Sequence, residues 1–315
     1  MEELIDIRES ELLDHEPAVL ELMLCDKTTG GHTRWATDDY ASEGKGFGPS
    51  DEILPRCITG EREGIMAPRI DKTLEHQTKR TRESAEVFTP SWVCCAQNNQ
   101  VDDAWFGRHG AICNNANPAT GWDINDSDVP FEGNRSWTEY VDKRVLEVSC
   151  GEAPYLVSRY DVTTGEPIPV ARRMGLLDRK LRVVIENTAG DTDAFERWVV
   201  RAYEATYAFD LQGDNVLLAR ENLLASLDEW RRFLSGKVAS GKLRLKVANR
   251  IAWNVFQIDT TSLTIPFASR PARQMSLGLF REGVETEPVP AMVRDWRACT
   301  RGEKIEFRDL VKHRS

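Results

Sequence analysis

Apolar positions in the first quarter of the chain are sparse and irregular, and they become strongly periodic further on. Over residues 1–24, Leu12, Leu13, Val19, Leu20, Leu22 and Met23 stand at mixed helical spacing among acidic residues, which predicts a short helix and then a strand near Glu21–Cys25. Residues 26–64 are rich in Gly, Asp and Thr and read as turns and loops. Residues 69–85 are polar and basic. They predict an exposed helix carrying a patch of Lys72, Lys79, Arg80 and Arg82.

From Ser91 the pattern turns globular. Trp92, Val93, Ala96 and Val101 predict a helix over 91–106, and the Gly, Asn, Pro and Asp of 107–136 read as a long surface insertion. A short helix or turn over Trp137–Arg144 precedes a strand, Val145–Val148, that stops at Gly151. Phe195, Trp198, Val199 and Ala202 mark a helix leading into the strand Ala208–Leu211. A second helix over Asn215–Leu234 carries Val216, Leu217, Leu218, Leu223, Leu224, Leu227 and Trp230. Leu245–Asp259 reads as helix turning into the strand Val255–Asp259, and Phe280, Val293, Trp296, Ile305 and Phe307 suggest short strands near the end. Strand–turn–helix units from about residue 145 onward argue for an α/β fold with a largely parallel sheet.

Composition narrows the function classes. Hydrophobic residues at 41% and charged residues at 29% allow a sizeable core in 315 residues, with a prior of roughly two domains. Lys+Arg 41 against Asp+Glu 51 gives a net charge of −10, which argues against a non-specific electrostatic binder of nucleic acid and leaves local basic faces open. No apolar run is long enough to span a membrane, and the first residues are acidic where a signal peptide is basic, so a cytoplasmic location is expected. Seven cysteines without a Cys-x-x-Cys pair and five scattered histidines predict a reduced protein with no structural metal.

Three segments carry candidate chemistry: Glu86–Pro90, Leu146–Leu156 and Tyr207–Val216. The second is a strand ending in the small-residue turn Cys150-Gly151-Glu152-Ala153, which lets backbone approach a ligand at the carboxyl end of a strand. The third places Asp210 near the end of the next strand, where a carboxylate can accept both hydroxyls of a ribose. Alone, each also reads as a tight turn or a surface carboxylate.

Together the trio resembles the S-adenosylmethionine-dependent adenine-specific DNA methyltransferases of restriction–modification systems. The likeness covers roughly residues 80–265 and rests on Glu86-Val87-Phe88-Thr89-Pro90, on Glu147 with Cys150-Gly151-Glu152-Ala153 and Leu156, and on Asp210-Leu211-Gln212. It implies a Rossmann-like methyltransferase domain over 81–270, with an N-terminal extension over 1–80 and a short C-terminal tail over 271–315. It further implies that Phe88, Thr89 and Pro90 border the methionine moiety of the cofactor and that Glu147 and the Cys150–Ala153 turn cradle its amino-acid end. Asp210 holds the ribose, Leu211 packs on the adenine, and Asp259 accepts from the adenine amine. The implied reaction is methyl transfer to the exocyclic amine of adenine in DNA, with a restriction subunit as a further partner.

One departure from the family pattern stands out. Its Asn/Asp/Ser-Pro-Pro-Tyr/Phe signature, which engages a flipped adenine, is absent. The nearest segment is Thr264-Ile265-Pro266-Phe267, so Thr264, Pro266 and Phe267 are the catalytic candidates, against the plain reading of a strand end with a loop proline. Few residues follow Pro266 to read bases, although Arg270, Arg273 and Arg281 could contact phosphate, as could Asp178-Arg179-Lys180-Leu181-Arg182. Thr37-Asp38-Asp39-Tyr40 reads as a loop cap or an acid/base site, and Cys94-Cys95 as buried filler.

Two rivals remain: a lapsed methyltransferase-like subunit that binds cofactor, DNA or a partner as a scaffold, and a methyltransferase for RNA or protein. A DNA enzyme calls for a basic strip beside the Cys150–Ala153 turn, and a scaffold for an apolar patch that a partner covers.

Overall fold

The computed structural model describes residues 7–72, 80, 88–125, 127–133, 135–271, 286–299 and 301–312. Two helices open it, α1 (Glu9–His15) and α2 (Pro17–Leu24). Val19, Leu20, Met23 and Leu24 cover one helical face and are all buried, so helix replaces the strand expected near Glu21–Cys25. Only Cys25 keeps an extended bridge, to His32. Residues 26–66 are loops and 3-10 turns, yet Trp35, Ile53, Ile58 and Met66 are buried in the same core as the helices of the later sheet. The extension therefore shares the main core.

Helix α3 (Ser91–Phe106) forms where the periodicity places it and ends on the left-handed Gly107. The surface insertion proves partly structured. Strands β1 (Cys113–Asn117) and β2 (Gly121–Ile124) make a hairpin whose Cys113 and Trp122 pack on Cys94 and Cys95 of α3. Ser136 caps α4 (Trp137–Asp142) through a reciprocal box with Glu139, and β3 (Val145–Val148) follows.

The remaining sheet is built by α5 (Leu176–Asn187), α6 (Thr192–Glu204), β4 (Thr206–Asp210), α7 (Gly213–Ser235), α8 (Gly241–Asn254) and β5 (Val255–Gln257). The three strands run parallel in the order β3-β4-β5. Every residue of β4 and β5 is buried, as in a strand covered on both faces. The basic run in α5 faces inward rather than toward phosphate. Arg179 pairs with Asp102 at 2.7 Å, Asp178 accepts from the Trp230 indole at 2.8 Å, and Lys180 donates to the Ala205 carbonyl at 3.2 Å.

Past the sheet come β6 (Thr264–Pro271), β7 (Thr286–Pro290), β8 (Met292–Asp295), β9 (Glu303–Glu306) and α9 (Phe307–Lys312), with β6 paired to β7 and β8 to β9, both antiparallel. This C-terminal unit covers the sheet face away from α5: Tyr207 packs with Trp253 and Trp296, and Phe209 with Phe256 and Phe307. The cover stops at β4. Leu146 and Val148, the register neighbours of Tyr207 and Phe209, are 41% and 60% exposed.

The early basic patch does not face solvent where it is described. Arg80 is buried, the Lys72 side chain is largely covered and both bind the Asp214 carboxylate, while Lys79 and Arg82 lie outside the described residues. Local polarity cannot reveal a buried carboxylate 134 residues away in sequence. Among the described residues no helix is long and apolar enough to cross a membrane, and no cluster of three or more His, Cys, Asp or Glu residues could hold a metal ion.

Candidate functional site

At the carboxyl ends of β3 and β4 the chain encloses a cavity of about 860 Å³. This is where parallel sheets place ligands, because the strands end there and the following loops diverge. Eight of the eleven residues that the resemblance assigns to the cofactor line it: Phe88, Thr89, Glu147, Cys150, Gly151, Glu152, Asp210 and Leu211.

The turn after β3 has an unusual backbone. Ser149, Gly151 and Ala153 all have positive φ, at 50°, 51° and 61°, so alternate residues are left-handed. For Ser149 and Ala153 that conformation costs on the order of 1 kcal/mol each. The Gly151 N–H donates to Asp210 at 2.9 Å and ties the β3 turn to the end of β4. The other Asp210 oxygen takes the Gln212 N–H at 3.0 Å. That second oxygen also accepts from the Asn215 side-chain amide at 3.5 Å, so the oxygen bonded to the Gly151 N–H is the one that keeps a lone pair for a ligand hydroxyl.

Glu147 sits beneath the same turn and accepts the N–H groups of Tyr155 at 3.3 Å and Leu156 at 3.2 Å. Burial pushes its pKa up to about 8, and the two amide donors only partly offset that. Burial also raises the pKa of Asp210 and lifts that of the Cys150 thiol well above normal, so Cys150 is a neutral wall rather than a nucleophile. Glu152 is held by the Arg69 N–H at 2.6 Å and the Tyr160 hydroxyl at 2.6 Å, and the Arg69 guanidinium lies 4.2 Å from the Phe88 ring centroid.

A wall that sequence reading missed comes from the N-terminal extension. Ala36, Thr37, Asp38 and Asp39 line the cavity, and Ala36 has φ 51°. Gln257 of β5 holds this wall to the sheet, accepting from the Arg34 N–H at 3.0 Å and donating to the Arg34 and Leu211 carbonyls at 2.7 Å. The Gly213 N–H donates to the Trp35 carbonyl at 2.9 Å, and the Tyr40 hydroxyl to Asp214 at 2.8 Å. Thr37-Asp38-Asp39-Tyr40 was visible as a polar segment, and the Thr37 hydroxyl does donate to Asp39 at 2.8 Å as a loop cap does. Its place beside Asp210 depends on tertiary packing.

Other sequence candidates fall elsewhere. Pro90 precedes α3 with its carbonyl taking the Val93 N–H, and Ala153 is buried outside the lining. Asp259 accepts from the Thr261 N–H at 2.8 Å, a bond that lowers its pKa; its neighbour Thr260 lines the cavity and Asp259 does not. Thr264, Pro266 and Phe267 lie on β6, none of them in the lining, with Thr264 in register with Pro290 and Phe267 61% exposed. Arg270 pairs with Glu287 at 2.7 Å; Glu86, Val87, Arg273 and Arg281 lie outside the described residues.

Among the described residues five carboxyl groups line the cavity (Asp38, Asp39, Glu147, Glu152 and Asp210), of which Glu147 keeps its proton near neutral pH, and no Lys, Arg or His does. Such a wall favours a cationic ligand and repels phosphate. No family model, curated protein or solved structure matches the chain.

Proposed function

We propose that the cavity binds S-adenosylmethionine and that the chain is the cofactor-holding subunit of a Rossmann-like methyltransferase acting on the exocyclic amine of adenine in DNA, within a restriction–modification or phage-defence system. The observation that carries the cofactor assignment is the acidic, phosphate-repelling lining at the ends of two parallel strands. A dinucleotide or nucleoside triphosphate would bring two or more phosphates against Asp38, Asp39, Glu152 and Asp210. S-adenosylmethionine brings an ammonium and a sulfonium against a single carboxylate of its own, a net positive charge, and when bound it supplies an activated methyl group.

The chain's own residues would divide the work. Asp210 accepts from the ribose hydroxyls, Leu211, 46% exposed, offers an apolar surface to the adenine, and Phe88 and Thr89 border the methionine end. Glu147 and Glu152 face the cationic groups.

The subunit form of this reading has a specific support: Thr264, Pro266 and Phe267 stand on β6, outside the cavity lining. Among the described residues that lining holds none of the basic strip expected of a self-sufficient DNA enzyme, whereas Val148 of the lining and Leu146 beside it are exposed.

Calorimetric titration tests the cofactor assignment. The expected result is micromolar binding of S-adenosylmethionine, no binding of NAD or ATP, and loss of the heat in Asp210→Ala. Binding of NAD or ATP in preference, or no binding of S-adenosylmethionine at millimolar concentration, would overturn it.

A further inference from the structure

We propose that Cys95 and Cys113 are a redox pair, a disulfide site that hydrogen peroxide closes and a dithiol reopens, and that the closed form fastens the β1–β2 hairpin to α3 behind the cavity wall. The pair stands independently of which ligand the cavity takes.

The two sulfurs come from different elements, Cys95 from the second turn of α3 and Cys113 from the first position of β1, and they lie 2.9 Å apart. A disulfide bond of about 2.05 Å brings them only about 0.9 Å closer. Both are buried, at 0% and 2% exposed, in the cluster where Trp122 of the hairpin and Met174 pack on α3. Among the described residues the other five cysteines touch no second sulfur. Cys94 donates to the Thr89 carbonyl at 3.6 Å, Cys150 to the Gly151 carbonyl at 3.7 Å and Cys57 to the Gly46 carbonyl at 4.0 Å, while Cys25 is half-buried and Cys299 exposed. A buried thiol by itself is apolar filler, whereas two that face each other form a dithiol.

The surroundings favour a thiolate on Cys113. The Cys95 S–H donates to the Cys113 sulfur, which lowers the pKa of Cys113 and raises that of Cys95. Burial opposes ionisation of both, and the Arg179 guanidinium, 3.8 Å from the Cys95 sulfur, favours it. Arg179 is fixed there by Asp102 at 2.7 Å and by the Asn99 side-chain oxygen at 2.8 Å. A two-stranded hairpin is only marginally stable on its own, so local opening at β1 admits a molecule as small as peroxide.

The Cys113 thiolate attacks one oxygen of hydrogen peroxide and the O–O bond breaks. Cys113 becomes a sulfenic acid, and the departing hydroxide becomes water with the proton that Cys113 had released. The Cys95 sulfur then attacks the Cys113 sulfur. The S–S bond forms, the S–O bond breaks, and a second water leaves with the Cys95 proton. The two thiols give up two electrons and peroxide is reduced to two waters.

The closed pair ties together positions 18 residues apart. Its effect reaches the cavity through α3. Cys94 bonds to Thr89, Asn98 donates to the Tyr155 carbonyl at 2.9 Å, and Thr89 and Tyr155 both belong to the lining. The hairpin, α3 and this wall then move as one body.

The test treats the full chain with hydrogen peroxide, blocks the remaining thiols by alkylation and maps non-reduced peptides by mass spectrometry. A peptide pair joined through Cys95 and Cys113 is expected, and dithiothreitol should release it. The oxidised chain should melt about 5 °C above the reduced one. Its α3 and hairpin amides should exchange more slowly. Cys94→Ala should behave as wild type, and Cys113→Ala should show no redox-dependent shift. A link through Cys94 or Cys299 instead, sulfinic acid without a link, or a Cys95–Cys113 link that leaves melting and exchange unchanged would each overturn the proposal. Because the map is read on the unaltered chain, it decides the question even where Cys113→Ala folds poorly.

Discussion

Glu147 is the residue whose environment departs furthest from what its sequence position announces. It is a carboxyl under a tight turn, buried, with two amide donors and no cation beside it among the described residues. Its pKa in the folded chain, about 8, lies above the value of about 4.3 expected unfolded. The folded state thus keeps a proton that the unfolded state releases. Glu147's contribution to stability is full below the unfolded pKa and is lost as pH rises through the folded one, at most about 1.4 kcal/mol per pH unit. Thermal melts between about pH 5 and pH 9 should show wild type losing stability relative to Glu147→Gln as pH rises; parallel curves would contradict the burial argument. A cation bound nearby favours the ionised form, so S-adenosylmethionine should bind more tightly with rising pH through this range and release a proton. Calorimetry in buffers of different ionisation enthalpy reads that proton directly. Ser149 offers a second check: it is exposed with φ 50°, and Ser149→Gly should raise stability by about 0.5–1 kcal/mol in denaturant melts, where a loss would mean that the turn is not left-handed.

Among the elements, the N-terminal wall and α7 meet at Gly213. A Cβ there would lie 2.0 Å from the Arg34 carbonyl oxygen, so Gly213→Ala must push the Ala36–Asp39 wall away from the sheet. The expected cost is about 1–3 kcal/mol in stability together with weaker cofactor binding. Gly241→Ala, whose Cβ would meet only Glu16 Oε1 at 3.8 Å, should stay within about 0.5 kcal/mol of wild type. Equal melting temperatures for the two variants would show that the wall is not packed as described. The same junction marks the limit of sequence reading. Helix α3 was placed over the right residues, but it buries Cys94, Cys95, Asn98 and Asp102 rather than Trp92, Val93, Ala96 and Val101. Helix α7 was legible because its apolar positions repeat at helical spacing, and strand β3 because a short apolar run stops at a turn. So were the Cys150–Ala153 turn and Asp210, because a turn residue and a strand-end carboxylate carry their chemistry locally. The wall at Ala36–Asp39, the pairing of Lys72 and Arg80 with Asp214, and the inward-facing Arg179 depend on partners far away in the chain. Helix α2 was misread as ending in a strand because a short apolar run fits either period.

Across the whole molecule, the cavity is built mainly from the N-terminal loops, the β3 turn and the end of β4, with Phe88, Thr89 and Thr260 added, while the Thr264–Phe267 segment sits on β6 outside the lining. The chain alone should therefore transfer no methyl group to mixed-sequence duplex DNA. Incorporation of tritium from labelled S-adenosylmethionine above background would contradict the subunit reading. With a net charge of −10 and no basic residue in the lining among the described residues, strong salt-dependent DNA binding is not expected of the isolated chain either. The central claim, that the acidic cavity at the ends of β3 and β4 holds S-adenosylmethionine, is tested most directly by ultraviolet cross-linking of methyl-tritiated cofactor to the native chain, followed by peptide mapping. Label on peptides carrying Phe88–Thr89 or Cys150–Tyr155 is the predicted result. Label confined to β6, or no label at saturating cofactor, would contradict the account.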